Sequence, residues 1–190
     1  MQKKIEADIK DSIKVKEGVL KDQAGNIEKA ARAIIDSLGN GGKLLIFGNG
    51  GSAADSQHIA AELVGRFKME RKALPAIALT TDTSAITAIA NDYGYEYVFS
   101  RQIEALALRG DVALGISTSG NSKNVIEALK KAKSMGVQTI ALSGGDGGLM
   151  GSEAGISITV GTKDTPRIQE AHAMIGHIIC ALIEEKLFKK

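Results

Sequence analysis

Several kinds of residue that would place a protein in a special class are scarce in this sequence. Cys180 is the only cysteine among 190 residues, so no disulfide can form within the chain. No apolar run approaches the roughly 18 residues that a membrane-spanning helix needs, and the charged stretch from Met1 to Asp8 lacks the apolar part of a signal peptide. We therefore expect a cytoplasmic protein with no membrane partner, and Cys180 as a plain buried thiol.

An excess of charge of either sign is also missing. The 24 basic and 22 acidic residues leave a formal net charge of +2, which is too balanced for a protein that binds nucleic acid through a basic surface. Proline occurs only twice, and the sequence contains no repeats, low-complexity tracts or linkers. The chain is therefore predicted to be one domain spanning residues 1–190.

Histidine is scarce as well, and its three positions fall in two short segments. His58 lies in the first half of the chain, whereas His172 and His177 lie together near its end. A lone histidine in an apolar helix is usually structural, and we favour this interpretation for His172. Neither segment is typical of random surface, so both are candidates for functional chemistry.

The periodicity of apolar residues predicts a fold that alternates strands and helices. Residues 1–40 contain two stretches with helical spacing, which we interpret as two N-terminal helices packing on the domain or on neighbouring subunits. Continuous apolar runs then alternate with helical patterns, as in a parallel sheet covered on both faces. We therefore predict an α/β protein, a three-layer αβα sandwich with a five-stranded parallel sheet. The predicted strands are 43–47, 76–80, 112–116, 139–143 and 156–160, and the helices between them are 52–64, 83–90, 97–108 and 121–135.

Two loops follow the carboxyl ends of predicted strands, where open α/β sheets bind their ligands. The first, 48–52, is rich in glycine and lets backbone N–H groups approach an anion at a helix N-terminus. Ser52 is expected to cap that helix, with Asp55 three residues later. The second loop, 117–122, places four hydroxyl groups around Gly120, and hydroxyls can surround a phosphate without a basic residue. Together the loops favour a monophosphate over a pyrophosphate.

Two other interpretations of these loops remain open. A turn rich in glycine and serine can simply connect a strand to a helix. The spacing of Gly48, Gly50 and Ala53 also fits the loose dinucleotide fingerprint. That fingerprint expects an acidic residue about 20 positions later, and this chain has no well-placed candidate for it. Position 68 is a lysine and Asp82 comes too late, so a dinucleotide enzyme is disfavoured.

These loops, together with Gln57-His58 and the segment 167–170 (Arg-Ile-Gln-Glu), resemble the sugar isomerase (SIS) domain family. Within that family the chain resembles the phosphoheptose isomerases over essentially its whole length. The hydroxyl-rich loop marks only the broad family. A set of four residues is far more specific, and its members are His58, Glu62, Gln169 and His177. The resemblance implies an aldose–ketose isomerase that converts sedoheptulose 7-phosphate to D-glycero-D-manno-heptose 7-phosphate, the first step of nucleotide-activated heptose biosynthesis.

The resemblance also implies roles for individual residues. Glu62 and His177 match the proposed catalytic base and acid. The implied ligands of one Zn²⁺ per subunit are His58, Glu62, Gln169 and His177. The implied substrate contacts are Asn49, Gly50, Gly51, Ser52, Glu62, Asn91, Asp92, Ser117, Thr118, Ser119, Ser122 and Gln169. Asp92 has a second interpretation, as an ordinary turn residue.

The start of the last predicted helix departs from the pattern of some family members. Thr165 is expected to cap this helix, with Pro166 at its first position. Some family members carry an acidic residue where this chain has Pro166. Asp164 is close enough to take that place, and its role is left open.

The residue types suit the implied chemistry on their own. Isomerisation moves a proton between adjacent carbons through an enediolate, which needs a base near carbon and an acid near oxygen. Glu62 can be that base, and His177 can exchange the oxygen-bound proton near neutral pH. A carboxylate bound to zinc is a weaker base, so proton transfer is the expected essential task of Glu62, and whether turnover requires zinc stays open.

Spacing along the last helix leads to an expectation about assembly. His58 and Glu62 are four residues apart and share a helix face. Gln169 and His177 lie roughly 12 Å apart along a helix, whereas zinc–ligand distances of about 2 Å leave little slack. Either both side chains lean inward or one comes from a neighbouring subunit. We therefore expect a homo-oligomer, a tetramer as the resemblance implies, with active sites at subunit junctions.

Two rival functions remain within the SIS family. One is the non-catalytic branch that binds the bacterial replication initiator and lacks equivalents of Glu62 and His177, both of which this chain has. The other is an SIS isomerase for a pentose or amino-sugar phosphate, which the sequence separates less well. The sequence determines neither the product anomer nor the final destination of the heptose.

Overall fold

Residues 1–189 of the chain are described by a computed structural model, and their five strands form one parallel sheet in the order β2-β1-β3-β4-β5. The strands are β1 Leu44–Gly48, β2 Ala76–Ala78, β3 Val112–Ser117, β4 Gln138–Gly144 and β5 Ile156–Val160. The helices are α1 Gln2–Gly39, α2 Gly51–Val64, α3 Thr83–Tyr93, α4 Val98–Leu106, α5 Lys123–Ser134, α6 Gly148–Glu153 and α7 Thr165–Phe188. A short 3₁₀ turn at Tyr95–Tyr97 connects α3 to α4.

Helices cover both faces of the sheet and enclose two apolar cores. The first core takes Ile34 from α1, Leu63 from α2 and Ile175 from α7, and the second takes residues of α4 and α5. Successive strand residues point to opposite faces, so Ile46 of β1 belongs to the first core and Phe47 to the second. Each such apolar side chain contributes about 1.5–3 kcal/mol when fully buried. The predicted three-layer αβα sandwich is confirmed.

The N-terminal segment is one helix of 38 residues, so the prediction of two helices is wrong. Gly18 and Gly25 lie between the two predicted stretches, and each weakens a helix by about 1 kcal/mol relative to alanine. Neither ends the helix, because no proline interrupts its backbone hydrogen bonds. Val19 and Ile27 also pack into the first core and hold this middle part against the domain.

Several predicted boundaries differ from the structure by a few residues. Strand β2 ends at Ala78, and α5 begins at Lys123. The N-cap position of α7 is occupied by Asp164, so the prediction that Thr165 caps this helix is wrong. The short helix α6 was not predicted, because the glycine-rich stretch around it reads as a loop. Over residues 1–189, no helix combines the length and the hydropathy that a bilayer crossing requires.

Candidate active site

The two predicted loops lie side by side at one edge of the sheet. Strands β1 and β3 are neighbours, with Gly48 paired to Ile116, so the chain leaves both strands at the same level. The glycine-rich loop follows β1 and leads into α2, and the hydroxyl-rich loop follows β3 and leads into α5. This is the edge where parallel α/β sheets bind ligands.

The glycine-rich loop makes a tight turn that side chains would obstruct. Gly50 has a φ of 56°, a conformation that glycine adopts without strain. A Cβ on Gly51 would overlap the amide of Gln169, so α7 approaches the loop closely at this point. Gly50, rather than Ser52, occupies the N-cap position of α2, and the capping interaction predicted for Ser52 and Asp55 is wrong. Ser52 is instead buried in the first turn, where its carbonyl accepts a hydrogen bond from Ser56 Oγ at 2.7 Å.

The hydroxyl-rich loop gathers its side chains around Ser117. Ser117 Oγ lies 2.8 Å from Ser122 Oγ and 3.3 Å from Ser119 Oγ, so three of the four predicted hydroxyls form one cluster. Thr118 and Ser119 also line a polar cavity of about 360 Å³ that Lys163 borders. A group of hydroxyl donors beside a lysine is well suited to an anionic oxygen.

An amide pair connects the two loops. Asn49 and Asn124 exchange two hydrogen bonds between their side-chain amides, both at 2.9 Å, and Tyr95 donates its hydroxyl to Asn49 Oδ1 at 3.1 Å. Asn124 is buried in the first turn of α5. The orientation of Asn49, a predicted substrate contact, is therefore fixed by partners on two other elements.

Helices α2 and α7 bring three predicted metal ligands together. His58 Nε2 lies 2.8 Å from His177 Nε2 and 3.4 Å from Glu62 Oε1, and ligand atoms of all three side chains lie within 4.8 Å of one another. The Glu62 side chain is 21% exposed and that of His58 48% exposed, so substrate has access to the cluster while the carboxylate is mostly covered. Because all three belong to one chain, a second subunit is not needed to assemble them.

The imidazole of His177 has an aromatic neighbour that the sequence analysis missed. The Phe67 ring stacks on it with centroids 5.4 Å apart and an interplanar angle of 29°. Phe67 lies in the connection between α2 and β2, three residues after the end of α2. A phenylalanine after a helix carries no sequence signal for such a contact, whereas Asn124 was recognisable as a polar residue two positions after the hydroxyl-rich loop.

Two of the predicted substrate contacts stand apart from these groups. Asn91 and Asp92 lie exposed in the last turn of α3, where Asn91 donates to Asp92 Oδ1 at 2.8 Å. Within residues 1–189, neither side chain is hydrogen-bonded to a predicted site residue outside this pair. Their link to the site is indirect. The segment that follows them contains Tyr95, whose hydroxyl donates a hydrogen bond to Asn49.

A further carboxyl group on α2 escaped the sequence analysis as a site residue. Asp55 lies three residues before His58, and its Oδ2 is buried without a hydrogen-bond partner among residues 1–189. Burial raises the pKa of the Asp55 carboxyl, although the nearby His58 imidazole opposes this shift. Asp55 therefore adds a partly covered acidic group to the His58 side of the site.

The other two candidates on α7 are structural, as predicted. His172 is fully buried, and its Nε2 lies 3.1 Å from the carbonyl oxygen of Ser143. Burial lowers the pKa of the His172 imidazole to about 4, with the Ser143 carbonyl acting in the opposite direction. Burial also raises the pKa of the Cys180 thiol to about 12. Neither group belongs to the His58, Glu62 and His177 cluster.

Comparison with known proteins identifies the family of the chain. The family model of the SIS domain matches residues 9–144. The phosphoheptose isomerase of Geotalea uraniireducens is 58% identical over 184 residues, which are 97% of this chain and 97% of that protein. The chain belongs to the phosphoheptose isomerases of the SIS domain family.

Solved structures of phosphoheptose isomerases show the same fold. The enzyme from Neisseria gonorrhoeae superposes with a TM-score of 0.92 at 45% identity, covering 97% of this chain and 98% of that one. The enzyme from Francisella tularensis gives a TM-score of 0.93 at 38% identity with the same coverage. The predicted SIS fold is therefore confirmed.

Proposed function

We propose that this protein is an aldose–ketose isomerase that converts sedoheptulose 7-phosphate to D-glycero-D-manno-heptose 7-phosphate in the cytoplasm. The reaction is the first step of nucleotide-activated heptose biosynthesis. The observation that carries the proposal is the convergence of Glu62, on the helix that follows the glycine-rich loop, with His177 on α7, in a chain related over 97% of its length to phosphoheptose isomerases. We further propose that residues 1–190 act as a single domain.

Glu62 and His177 divide the two proton transfers of the reaction between them. Glu62, as base, removes a proton from C1 of the ketose, which leaves an enediolate, and returns a proton to C2. His177, as acid, donates a proton to the oxygen on C2 and takes the proton from the oxygen on C1. The second pair of transfers reverses the first, so both side chains return to their starting forms once the two steps are complete, as general acid–base catalysis requires.

The two loops hold the far end of the substrate. The Ser117, Ser119 and Ser122 hydroxyls and the N-terminus of α2 offer hydrogen bonds and favourable potential to the phosphate. The remaining substrate contacts that we propose are Asn49, Gly50, Gly51, Ser52, Thr118, Gln169, Asn91 and Asp92. Fixing the phosphate in these loops would position the reacting carbons against Glu62.

The donor set of the cluster fits a zinc ion. Two imidazole nitrogens and a carboxylate oxygen are ligands that zinc prefers, and the His58 and His177 nitrogens face one another at 2.8 Å. We propose that His58, Glu62 and His177 bind one Zn²⁺ per subunit with Gln169. Zinc would supply polarisation of the substrate carbonyl there.

The reaction itself is the first test. Incubation with sedoheptulose 7-phosphate, followed by NMR, is expected to show an aldoheptose phosphate, and Glu62→Gln is expected to abolish its formation. Glu70→Gln is the matched control, because Glu70 lies in the neighbouring connection with its side chain 90% exposed. No aldose from the wild type, or equal turnover by Glu62→Gln, would refute the proposal.

We also propose a homo-oligomer, and the N-terminal half of α1 supports it. Ile5, Ile9 and Ile13 repeat every four residues and are 51–57% exposed, whereas the second half of the helix is buried against the domain. An apolar cavity of about 680 Å³ between α1 and α7 continues this stripe past Leu20. A contiguous apolar surface of this kind is typical of an interface, and the resemblance sets the expected number of subunits at four.

Light scattering after size exclusion tests the assembly. The wild type is expected to have about four times the chain mass. Ile9→Glu should reduce the mass, because it places a charge in the apolar stripe, whereas Lys14→Glu on the adjacent face should not. A monomeric wild type, or an Ile9→Glu protein of unchanged mass, would contradict the proposed interface.

A further inference from the structure

A buried ion pair lies behind the candidate active site and takes no part in the proposed chemistry. Arg71 Nε donates to Glu184 Oε1 at 2.9 Å, and the two side chains are 0% and 2% exposed. Arg71 belongs to the connection between α2 and β2, and Glu184 lies on α7, seven residues after His177. The pair therefore joins the two elements that carry Glu62 and His177.

The carboxylate of Glu184 organises the start of this connection. It accepts three backbone N–H groups, from Phe67 at 2.9 Å, Lys68 at 2.9 Å and Met69 at 3.0 Å. Burial disfavours the charged form, but these donors and Arg71 outweigh it and hold the pKa of the Glu184 carboxyl below its ordinary value. The segment that carries the Phe67 ring is thus fixed by a charged group on the helix of His177.

The guanidinium of Arg71 organises the end of α2. Its Nη2 donates to the carbonyl of Glu62 and its Nη1 to the carbonyl of Leu63, both at 2.8 Å. These carbonyls lie in the last turn of α2, where no further helical N–H is available to them. Arg71 therefore caps the helix at the residue that supplies the proposed base.

We propose that the Arg71–Glu184 pair is a positioning element of the active site, which keeps Phe67 stacked on His177 and Glu62 turned toward the same point. Neither residue touches the reacting atoms, and the effect passes through backbone groups and the Phe67 ring. The catalytic consequence rests on the proposed isomerase activity. Displacement of a catalytic group by about 1 Å can cost about 100-fold in rate.

The chain contains a matched control for a buried carboxylate. Asp111 accepts hydrogen bonds from the backbone N–H groups of Lys43 and Leu108 and pairs with Lys43 Nζ at 2.6 Å. It lies before β3, at the opposite edge of the sheet from the two loops. Asp111→Asn thus removes a similarly bonded charge without touching the site.

The test compares Glu184→Gln with Asp111→Asn in the full-length protein. Glu184→Gln is expected to lower kcat about 10-fold to 100-fold, with KM changed by less than about threefold, because the phosphate loops lie on other elements. Asp111→Asn is expected to keep kcat within about twofold of wild type. Equal kcat values for the two variants would overturn the proposal.

Phe67→Leu supplies a second variant that leaves the buried pair intact. It removes the aromatic ring beside His177 and is expected to lower kcat several-fold. The double variant with Glu184→Gln should be no slower than Glu184→Gln alone, because both changes act through the same contact. Independent, multiplying effects would show that the pair does not act through Phe67.

A chemical readout separates this inference from the proposed function. Diethyl pyrocarbonate modifies accessible imidazoles, and mass spectrometry resolves its rate at His177. Glu184→Gln is expected to raise that rate over wild type and over Asp111→Asn, whether or not the protein isomerises a heptose phosphate. An unchanged rate overturns the positioning role, whereas an inactive wild type with a raised rate in the variant overturns only the proposed reaction.

Discussion

His172 and His177 are five residues apart on the same helix, yet their surroundings differ completely. His172 is enclosed by the core and touches one carbonyl oxygen, of Ser143. His177 is partly exposed and faces the imidazole of His58 and the carboxylate of Glu62. The comparison shows that the residue type and the helix do not decide the role of a histidine, whereas the groups that a second helix brings to it do.

The largest expected difference between the two histidines is in turnover. His177→Gln removes the proposed acid and should lower kcat by about 10²–10⁴-fold. His172→Gln should keep kcat within about threefold at pH 7.5, because its amide nitrogen can still reach Ser143. Initial rates on sedoheptulose 7-phosphate check both, and a larger loss in His172→Gln than in His177→Gln would reverse the assignment.

The two histidines should also differ in their effect on stability at low pH, and here His172 should have the larger effect. The pKa of His172 is about 4 in the folded protein and 6.5 as its ordinary value. Between these values the unfolded chain binds the proton more readily, so stability falls as the pH is lowered from 6.5 to 4. The loss from this group amounts to about 3 kcal/mol at 1.36 kcal/mol per pH unit.

Denaturant unfolding at a series of pH values measures this contribution. His172→Gln should lack that part of the decline, and His177→Gln should retain it. Above pH 4.5 the contribution of Glu184 does not interfere, because its lowered pKa makes it lose stability only below its ordinary value of 4.5. A decline of the same steepness in wild type and His172→Gln would contradict the buried, neutral state of His172.

The affinity for zinc should also differ between variants of the two histidines. Removal of a proposed ligand should weaken binding by at least the roughly 10-fold seen for partners of metal ligands, so His177→Gln should bind Zn²⁺ at least tenfold more weakly. His172→Gln should bind it as the wild type does. Competition against a chromophoric chelator gives both affinities, and equal weakening in the two variants would place the metal elsewhere.

The smallest expected effect is on the reactivity of Cys180, which is buried like His172. Burial raises the pKa of its thiol to about 12, with Glu62 and Glu184 acting in the same direction. Only the thiolate is nucleophilic, so iodoacetamide should label Cys180 in the folded protein no faster than the chain unfolds. Labelling of the native protein at the rate of a free thiol would show that this face of α7 is open.

Much of this molecule could be predicted because its signals are local. The apolar runs of β1 to β5 and the turns rich in glycine and serine after β1 and β3 are contained in short stretches of sequence. The four-residue spacing of His58 and Glu62 likewise fixes their common helix face without further information. The sandwich and the two loops followed from these patterns.

The failures concern choices that depend on partners distant in the chain. Gly18 and Gly25 are compatible with either a broken or a continuous α1. The packing of Val19 and Ile27 on the domain favours the continuous helix. Ser52 has the residue type of a cap, but the chain turns at Gly50, and α2 begins at Gly51, where α7 brings Gln169 close to the backbone. Phe67 lies beside His177, and its backbone N–H is bonded to Glu184, 117 positions away.

The central claim is that Glu62 transfers a proton between neighbouring carbons of a sugar phosphate. Turnover of sedoheptulose 7-phosphate in D₂O, followed by NMR, tests it most directly, because a base in contact with solvent exchanges the proton that it carries. The wild type is expected to give an aldoheptose phosphate with solvent deuterium on C2, and Glu62→Gln none. Deuterated product from Glu62→Gln at the wild-type rate would contradict the role of Glu62.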